Sequence, residues 1–103
     1  MLTSAPTDEL VQALADPMRA RIVDLLATEQ LCVCHLVEAT GAKQPNLSGH
    51  LRMLRKLGIV AAEPAGRFTY YRLRPEALDA VSRHYVGLAE RARAAAAVKR
   101  PCD

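Results

Sequence analysis

Apolar residues recur at helical spacing along much of the chain, and the clearest case is the stretch of residues 43–57. Leu47, Leu51 and Leu54 stand at i, i+4 and i+7, which places them in one stripe of a helix. At about 100° per residue, the opposite face carries Pro45, Gly49, Arg52 and Lys56. The pattern predicts a helix with an apolar inner face and an outer face where a gap of small residues is followed by cations.

The beginning of the chain predicts two further helices, separated by Asp16-Pro17. Thr7 or Asp8 can cap the first helix, and proline suits the first turn of the second. Residues 1–6 are expected to fray. The apolar positions of the two helices are, in order, Leu10, Val11 and Leu14, and then Met18, Ile22, Leu25 and Leu26.

A short third helix is predicted from about Cys32 to Ala39, and Gly41 is typical of its C-terminal end. Only residues 41–44 separate this helix from the stripe that contains Leu47. Two short helices joined by so tight a turn form a helix-turn-helix, here at about residues 32–57.

Two short extended runs follow the helix-turn-helix, at residues 59–63 and 68–73, with Pro64-Ala65-Gly66-Arg67 as the turn between them. A β-hairpin directly after the second helix of a helix-turn-helix is called a wing, here at about residues 59–73. Arg67 at its tip, with Arg72 and Arg74 near its base, can meet a DNA backbone or minor groove. The alternative is a structural hairpin that covers the core.

The rest of the chain predicts one long helix, about residues 75–99, which begins with Pro75 and Glu76. Its apolar residues alternate three and four apart, the spacing of a seam between two helices. The helix is longer than a small domain needs, so we infer a dimer interface. The seam residues are Leu78, Val81, Tyr85, Leu88 and Ala92.

Composition favours a small folded domain, since half of the 103 residues are apolar and the net charge is only +3. The expected fold is a single winged helix-turn-helix domain over residues 1–103, mainly α with a β-hairpin wing. No apolar run approaches the roughly 20 residues of a membrane span, and no secretory signal is visible, so a cytoplasmic location is expected. There the three cysteines should be reduced. No catalytic triad, carboxylate pair or phosphate loop suggests an enzyme.

The helix at residues 43–57 carries the groups that DNA recognition needs. Amides and hydroxyls near its N-terminus can read base edges, and the cations after them can hold phosphates. The plainer alternative is an amphipathic surface helix with solvated charges. The candidate DNA contacts, including two from the wing, are Gln44, Asn46, Ser48, Gly49, His50, Arg52, Arg67 and Tyr70. His50 either touches DNA or packs beside Leu47 and Leu54.

Three segments, residues 13–26 (ALADPMRARIVDLL), 31–60 and 66–73 (GRFTYYRL), together resemble the ArsR/SmtB family of bacterial metal-responsive repressors. The resemblance implies a winged-helix homodimer that pairs through its first and last helices and reads a twofold-symmetric DNA operator. It also implies repression of a resistance operon, relieved when a toxic ion binds. The interface residues it suggests are Leu10, Leu14, Leu78, Val81, Tyr85 and Leu88.

In arsenic-responsive members of this family the sensing site lies at the start of the third helix, in a sequence similar to residues 31–36 (LCVCHL). The resemblance therefore assigns Cys32 and Cys34 to trivalent arsenic or antimony, soft ions that favour thiolates. On a regular helix two such residues are about 200° apart. An ion that captures both is thus expected to distort the first turn and to disturb DNA reading.

One departure from the family pattern is Val37, where arsenic-responsive relatives of the founding type have a third cysteine. Trivalent arsenic prefers three sulfur ligands. Cys102 can supply the third, from its own subunit or across a dimer, since some relatives use C-terminal thiols. An external thiol or a hydroxide is the other source.

Three alternatives remain open from the sequence. Zinc-type relatives bind through the last helix, but Val81 breaks that pattern two residues after Asp79; His35 can instead join the cysteines in a zinc or cadmium site. A thiol redox switch would pair Cys102 with Cys32 or Cys34. A metal-handling protein without a DNA role would leave the wing and the basic helix face unexplained.

Overall fold

The computed structural model describes residues 5–102, in which five helices and a three-stranded sheet follow one another. In chain order the elements are α1 (Thr7–Ala15), α2 (Pro17–Leu26), β1 (Leu31–Cys32), α3 (Val33–Thr40), α4 (Gln44–Lys56), β2 (Val60–Ala65), β3 (Phe68–Leu73) and α5 (Pro75–Ala94). This order of helices followed by a hairpin is the predicted winged helix-turn-helix. None of the helices in the described part of the chain has the length and apolar character needed to cross a membrane.

The stripe on α4 forms the centre of the core, as predicted. Leu47, Leu51 and Leu54 are fully buried and pack in one cluster with residues of α1, α2, α3 and the start of β2. Among the described residues, the other large side chains that are fully buried are Ile22, Leu36, Ile59 and Val60. Burial of these aliphatic side chains holds the helix-turn-helix against the base of the hairpin.

Local signals account for most helix ends. The backbone N–H of Arg19 donates to Oδ2 of Asp16 at 3.0 Å, which caps α2 just before Pro17. Gly41 and Gly58 have φ of 72° and 77°, the left-handed conformation that ends a helix, after α3 and α4 respectively. The start of α1 differs slightly from expectation, since Pro6 is its N-cap and no side chain caps it.

The sheet has the order β1-β3-β2 with both pairs antiparallel. The hairpin turn is shorter than predicted: Ala65 still pairs with Phe68, which leaves only Gly66 and Arg67 in the loop. Gly66 has φ of 65° and Arg67 a negative φ, as in a type II′ turn. Pro64 is tolerated within β2 because this strand is at the edge of the sheet.

The long C-terminal helix ends earlier than predicted, at Ala94 rather than near residue 99. A turn at residues 95–97 follows, in the Ala-rich part of the chain, where no apolar seam continues. No residue of α5 is fully buried, although the helix packs against α1. One side of α5 therefore remains uncovered in the single chain.

Candidate functional site

The outer face of α4 is open to solvent and basic. Pro45, Arg52 and Lys56 are exposed, on the side opposite the buried leucines. Gly49 lies among them, and a Cβ added there would meet no atom within 4 Å. Because no contact among residues 5–102 requires glycine at this position, the small-residue gap is available for a close approach from outside.

The structure separates the predicted DNA contacts into two groups. Gln44, Asn46, Arg52 and Arg67 are exposed, whereas Ser48, Gly49, His50 and Tyr70 are partly buried. The Nδ1 atom of His50 is 3.2 Å from Nη1 of Arg19, so this ring packs between α2 and α4. Tyr70 lies in the middle of β3, between Glu63 of β2 and Cys32 of β1, and not at the tip of the wing.

The wing has one cation outside the described ion pairs. Arg72 is bound to Glu63 at 3.0 Å, and Nε of Arg74 is 3.8 Å from Glu76. Arg67, in the exposed turn, has no such partner among the described residues. Phe68 beside it, predicted only as part of a strand, is 52% exposed.

A small polar network holds α2 in place beside α4. Besides its cap on α2, Arg19 donates from Nε to the carbonyl oxygen of Ala13 at 2.8 Å, which joins the end of α1 to the start of α2. The backbone N–H of Arg19 also lowers the pKa of the Asp16 carboxyl, with smaller contributions from the charges of Arg19 and His50. The network therefore favours an ionised Asp16 in the folded chain.

The two cysteines of residues 31–36 converge, contrary to the expectation that they point to opposite faces of one helix. Cys32 is not helical: it is the extended N-cap of α3 (φ −88°, ψ 170°) and pairs with Tyr70 in the sheet. Its Cα is 5.4 Å from that of Cys34, and the two Sγ atoms are joined as a disulfide. The expectation of a reduced pair is therefore wrong for this structure, and the Cys102 bridge of the redox alternative is not the one present.

His35 completes a group of three soft or borderline donors at this site. Cys32, Cys34 and His35 each offer an atom within 4.8 Å of the other two. Cys32 is 3% exposed, while Cys34 and His35 are exposed. Val37 packs on the core, and Cys102 is an exposed free thiol outside this group. Within residues 5–102 the structure thus does not bring Cys102 to the pair.

The cysteine site lies next to the wing and at the start of the first helix of the helix-turn-helix. Cys32 pairs with β3 of the hairpin, and α3, which begins one residue later, packs against α4. The ring centroids of His35 and Tyr70 are 6.0 Å apart. Residues 32–35 therefore connect the hairpin with the helix that packs on α4.

The suggested interface residues differ in their accessibility. Tyr85 and Leu88 are 49% and 38% exposed, respectively, and Leu14, Leu78 and Val81 are partly buried. Leu10 requires a correction, since it is 3% exposed and belongs to the core of the single chain, where α1 packs on α5. Its side chain has no free surface to offer a partner.

Comparison with known proteins matches residues 16–62 to the family described as bacterial regulatory protein, arsR family. The arsenic resistance transcriptional regulator ArsR1 of Pseudomonas putida is 47% identical over 66 residues, covering 63% of this chain and 52% of that protein. The arsenical resistance operon repressor of Staphylococcus xylosus is 35% identical over 73% of this chain and 72% of its own length. The chain spans about half the length of the first of these relatives.

The fold is shared with solved structures. A possible transcriptional regulator for arsenical resistance superposes with a TM-score of 0.73 at 31% identity. The match covers 89% of this chain and 98% of the other. The likeness thus extends beyond the helix-turn-helix to most of the described elements.

Proposed function

Because this chain belongs to the ArsR family of bacterial regulatory proteins, we propose that it is a DNA-binding transcriptional repressor that trivalent arsenic or antimony releases from its operator. The ion binds Cys32 and Cys34. The observation that carries the proposal is the position of the two sulfur atoms, side by side at the start of the first helix of the helix-turn-helix.

The DNA side of the proposal rests on α4 and the wing. The exposed amides of Gln44 and Asn46 read base edges, Arg52 holds phosphate, and the open face at Gly49 lets the helix approach the major groove. Arg67 reaches the backbone or minor groove beside it. In a homodimer, two such helices about 34 Å apart read the two halves of a twofold-symmetric operator.

When Cys32 and Cys34 are reduced, their two thiols fit a soft ion. A dithiol reductant transfers two electrons and two protons to the Cys32–Cys34 disulfide, which yields two thiols and an oxidised reductant. Each thiol then replaces one hydroxide of arsenite, with release of water. The Cα separation of 5.4 Å lets both sulfurs face one ion without unwinding α3, since Cys32 is already extended.

The same geometry provides a route from the ion to DNA. Cys32 belongs to the strand that pairs with the hairpin, whereas Cys34 belongs to α3, which packs on α4. An ion bound by both sulfurs fixes the angle between these two elements. Release follows if that angle differs from the one in the DNA-bound dimer, because an effector acts only through its different affinity for the two states.

The disulfide favours a second candidate function, repression that is relieved by thiol oxidation. Here a low-molecular-weight disulfide takes two electrons and two protons from the thiols of Cys32 and Cys34 and becomes two thiols. The pairing differs from the Cys102 bridge that the redox alternative named from the sequence. This switch and the arsenic switch use the same sulfur atoms, and an experiment must therefore separate them by the effector added.

The test measures binding of the protein to DNA from the region upstream of its gene. Fluorescence anisotropy monitors this binding under reducing conditions while arsenite is added. We expect release from the wild type and from Cys102→Ser, but none from Cys32→Ser or Cys34→Ser, all of which still bind DNA. Oxidised glutathione replaces arsenite in a parallel titration without reductant. Release by glutathione alone would favour the oxidation switch, and wild-type arsenite release from either serine variant would remove that cysteine from the site.

A further inference from the structure

His35 has a hydrogen-bonding arrangement that links the ion site to the end of α3. The backbone N–H of Cys32 donates to Nδ1 of His35 at 3.1 Å. In return, the backbone N–H of His35 donates to the side chain of Cys32. The two residues form a capping box, the reciprocal pair that satisfies free N–H groups at the start of a helix. Since Nδ1 accepts from a backbone N–H, the ring proton is assigned to Nε2.

We propose that His35 supplies the third donor to the ion held by Cys32 and Cys34, and that ion binding thereby removes one half of the capping box of α3. This inference rests on the proposed function and names the ligand set of the same site. Nδ1 lies 3.2 Å from Sγ of Cys32, and all three donor atoms fall within 4.8 Å of one another. Among the described residues, neither Val37 nor Cys102 offers such a donor.

His35 cannot accept the capping hydrogen bond and bind an ion at the same time. An imidazole nitrogen has one lone pair, and that of Nδ1 is occupied by the N–H of Cys32. An ion at Nδ1 displaces this N–H, and an ion at Nε2 moves the ring proton to Nδ1, which can then no longer accept. Either way the first turn of α3 loses one of its caps, and this turn begins the helix that packs on α4.

The three donor atoms also indicate which ion gains more affinity from His35. Two thiolates and one imidazole match the sulfur and nitrogen ligands of zinc, whereas trivalent arsenic favours sulfur and gains less from nitrogen. His35 therefore contributes more to zinc binding than to arsenite binding. Zinc would keep a fourth coordination position open to water, as in sites with three protein ligands.

The matched variant is His35→Gln, because glutamine keeps the acceptor of a capping box but is a poor ligand for zinc. Zinc affinity is measured on the full reduced chain by competition with a chromophoric chelator. We expect it to fall by more than about tenfold in His35→Gln, since loss of an outer-shell partner alone has that effect. His84→Gln, an exposed histidine of α5, is the control and should bind zinc as the wild type does.

A second readout reports the ligand directly. The imidazole nitrogen resonances of His35, observed by 15N NMR, should shift when zinc is added to the wild type. Unchanged resonances, or a zinc affinity in His35→Gln equal to that of the wild type, would overturn the inference. Circular dichroism checks that the variant retains its helices.

The experiments distinguish failure of this inference from failure of the proposed function. If His35→Gln binds zinc normally while arsenite still releases DNA through the cysteines, the inference fails and the proposed repressor stands. If zinc affinity falls in His35→Gln but arsenite never releases DNA, the ligand set stands and the arsenic-responsive function fails.

Discussion

Arg19 of α2 and His50 of α4 are joined by a contact of 3.2 Å between Nη1 and Nδ1. Arg19 also reaches the carbonyl oxygen of Ala13 at the end of α1. One guanidinium thus ties three helices together next to the basic outer face of α4. This explains why His50 is partly buried although it is itself one of the predicted DNA contacts.

We predict that Arg19→Ala destabilises the fold by about 1–2 kcal/mol, because it removes two charge-assisted hydrogen bonds in a partly buried position. The free energy of unfolding is measured in urea at fixed protein concentration. Arg21→Ala is the control: this arginine is in the same helix but is exposed and makes a single hydrogen bond, to the carbonyl oxygen of Ala39. Equal losses in both variants would contradict a special role for Arg19.

Stability should decrease in acid partly because of Asp16. Its pKa is lowered in the folded chain, mainly by the backbone N–H of Arg19. A lowered carboxyl pKa means that the stabilisation is complete above the unfolded pKa, near 4, and is lost as pH falls through the folded pKa. Asp16→Asn keeps an N-cap acceptor without the charge. Its melting temperature should therefore fall less between pH 5 and pH 2.5 than that of the wild type.

Asp24→Asn, which changes an exposed carboxylate of the same helix, serves as the control for acid stability and should follow the wild-type curve. An Asp16→Asn curve parallel to the wild type would show that the cap charge does not contribute.

Arg52→Ala should weaken DNA binding without changing affinity for arsenite. The guanidinium is exposed on the outer face of α4, far in sequence from the cysteines. The loss of one phosphate contact should reduce the slope of log K against log salt by about one. Lys99→Ala removes the same charge from the exposed tail and should leave the slope unchanged. A joint fall in DNA and arsenite affinity would count against this role.

Leu88→Glu should dissociate the proposed dimer, because it places a charge on the uncovered side of α5. Leu88 is 38% exposed and belongs to the seam that includes Tyr85. Sedimentation at micromolar concentration should show the wild type as a dimer and the variant as a monomer. Val98→Glu introduces the same charge beyond the end of α5 and should remain dimeric. A monomeric wild type would contradict the proposed dimer interface.

Several features could be predicted from the sequence because their causes are local. The leucine spacing in α4 predicts which face is buried, and this was confirmed for Leu47, Leu51 and Leu54. Gly41 predicts the end of α3, since only a residue without a Cβ adopts positive φ easily. The order of elements and the resemblance to the family likewise depend on contiguous residues.

Other features were decided by contacts between distant parts of the chain. Cys32 leaves the helix because its backbone pairs with Tyr70, 38 residues later, and this pairing turns two thiols on opposite faces into a joined pair. The Arg19–His50 contact spans 31 residues and has no counterpart in any local pattern. Periodicity describes how one element presents its faces, whereas the distances between side chains on different elements depend on how the elements pack. For this protein, the α4 helix and its buried face were determined by the sequence alone, and the arrangement of Cys32, Cys34 and His35 was decided only by the tertiary structure.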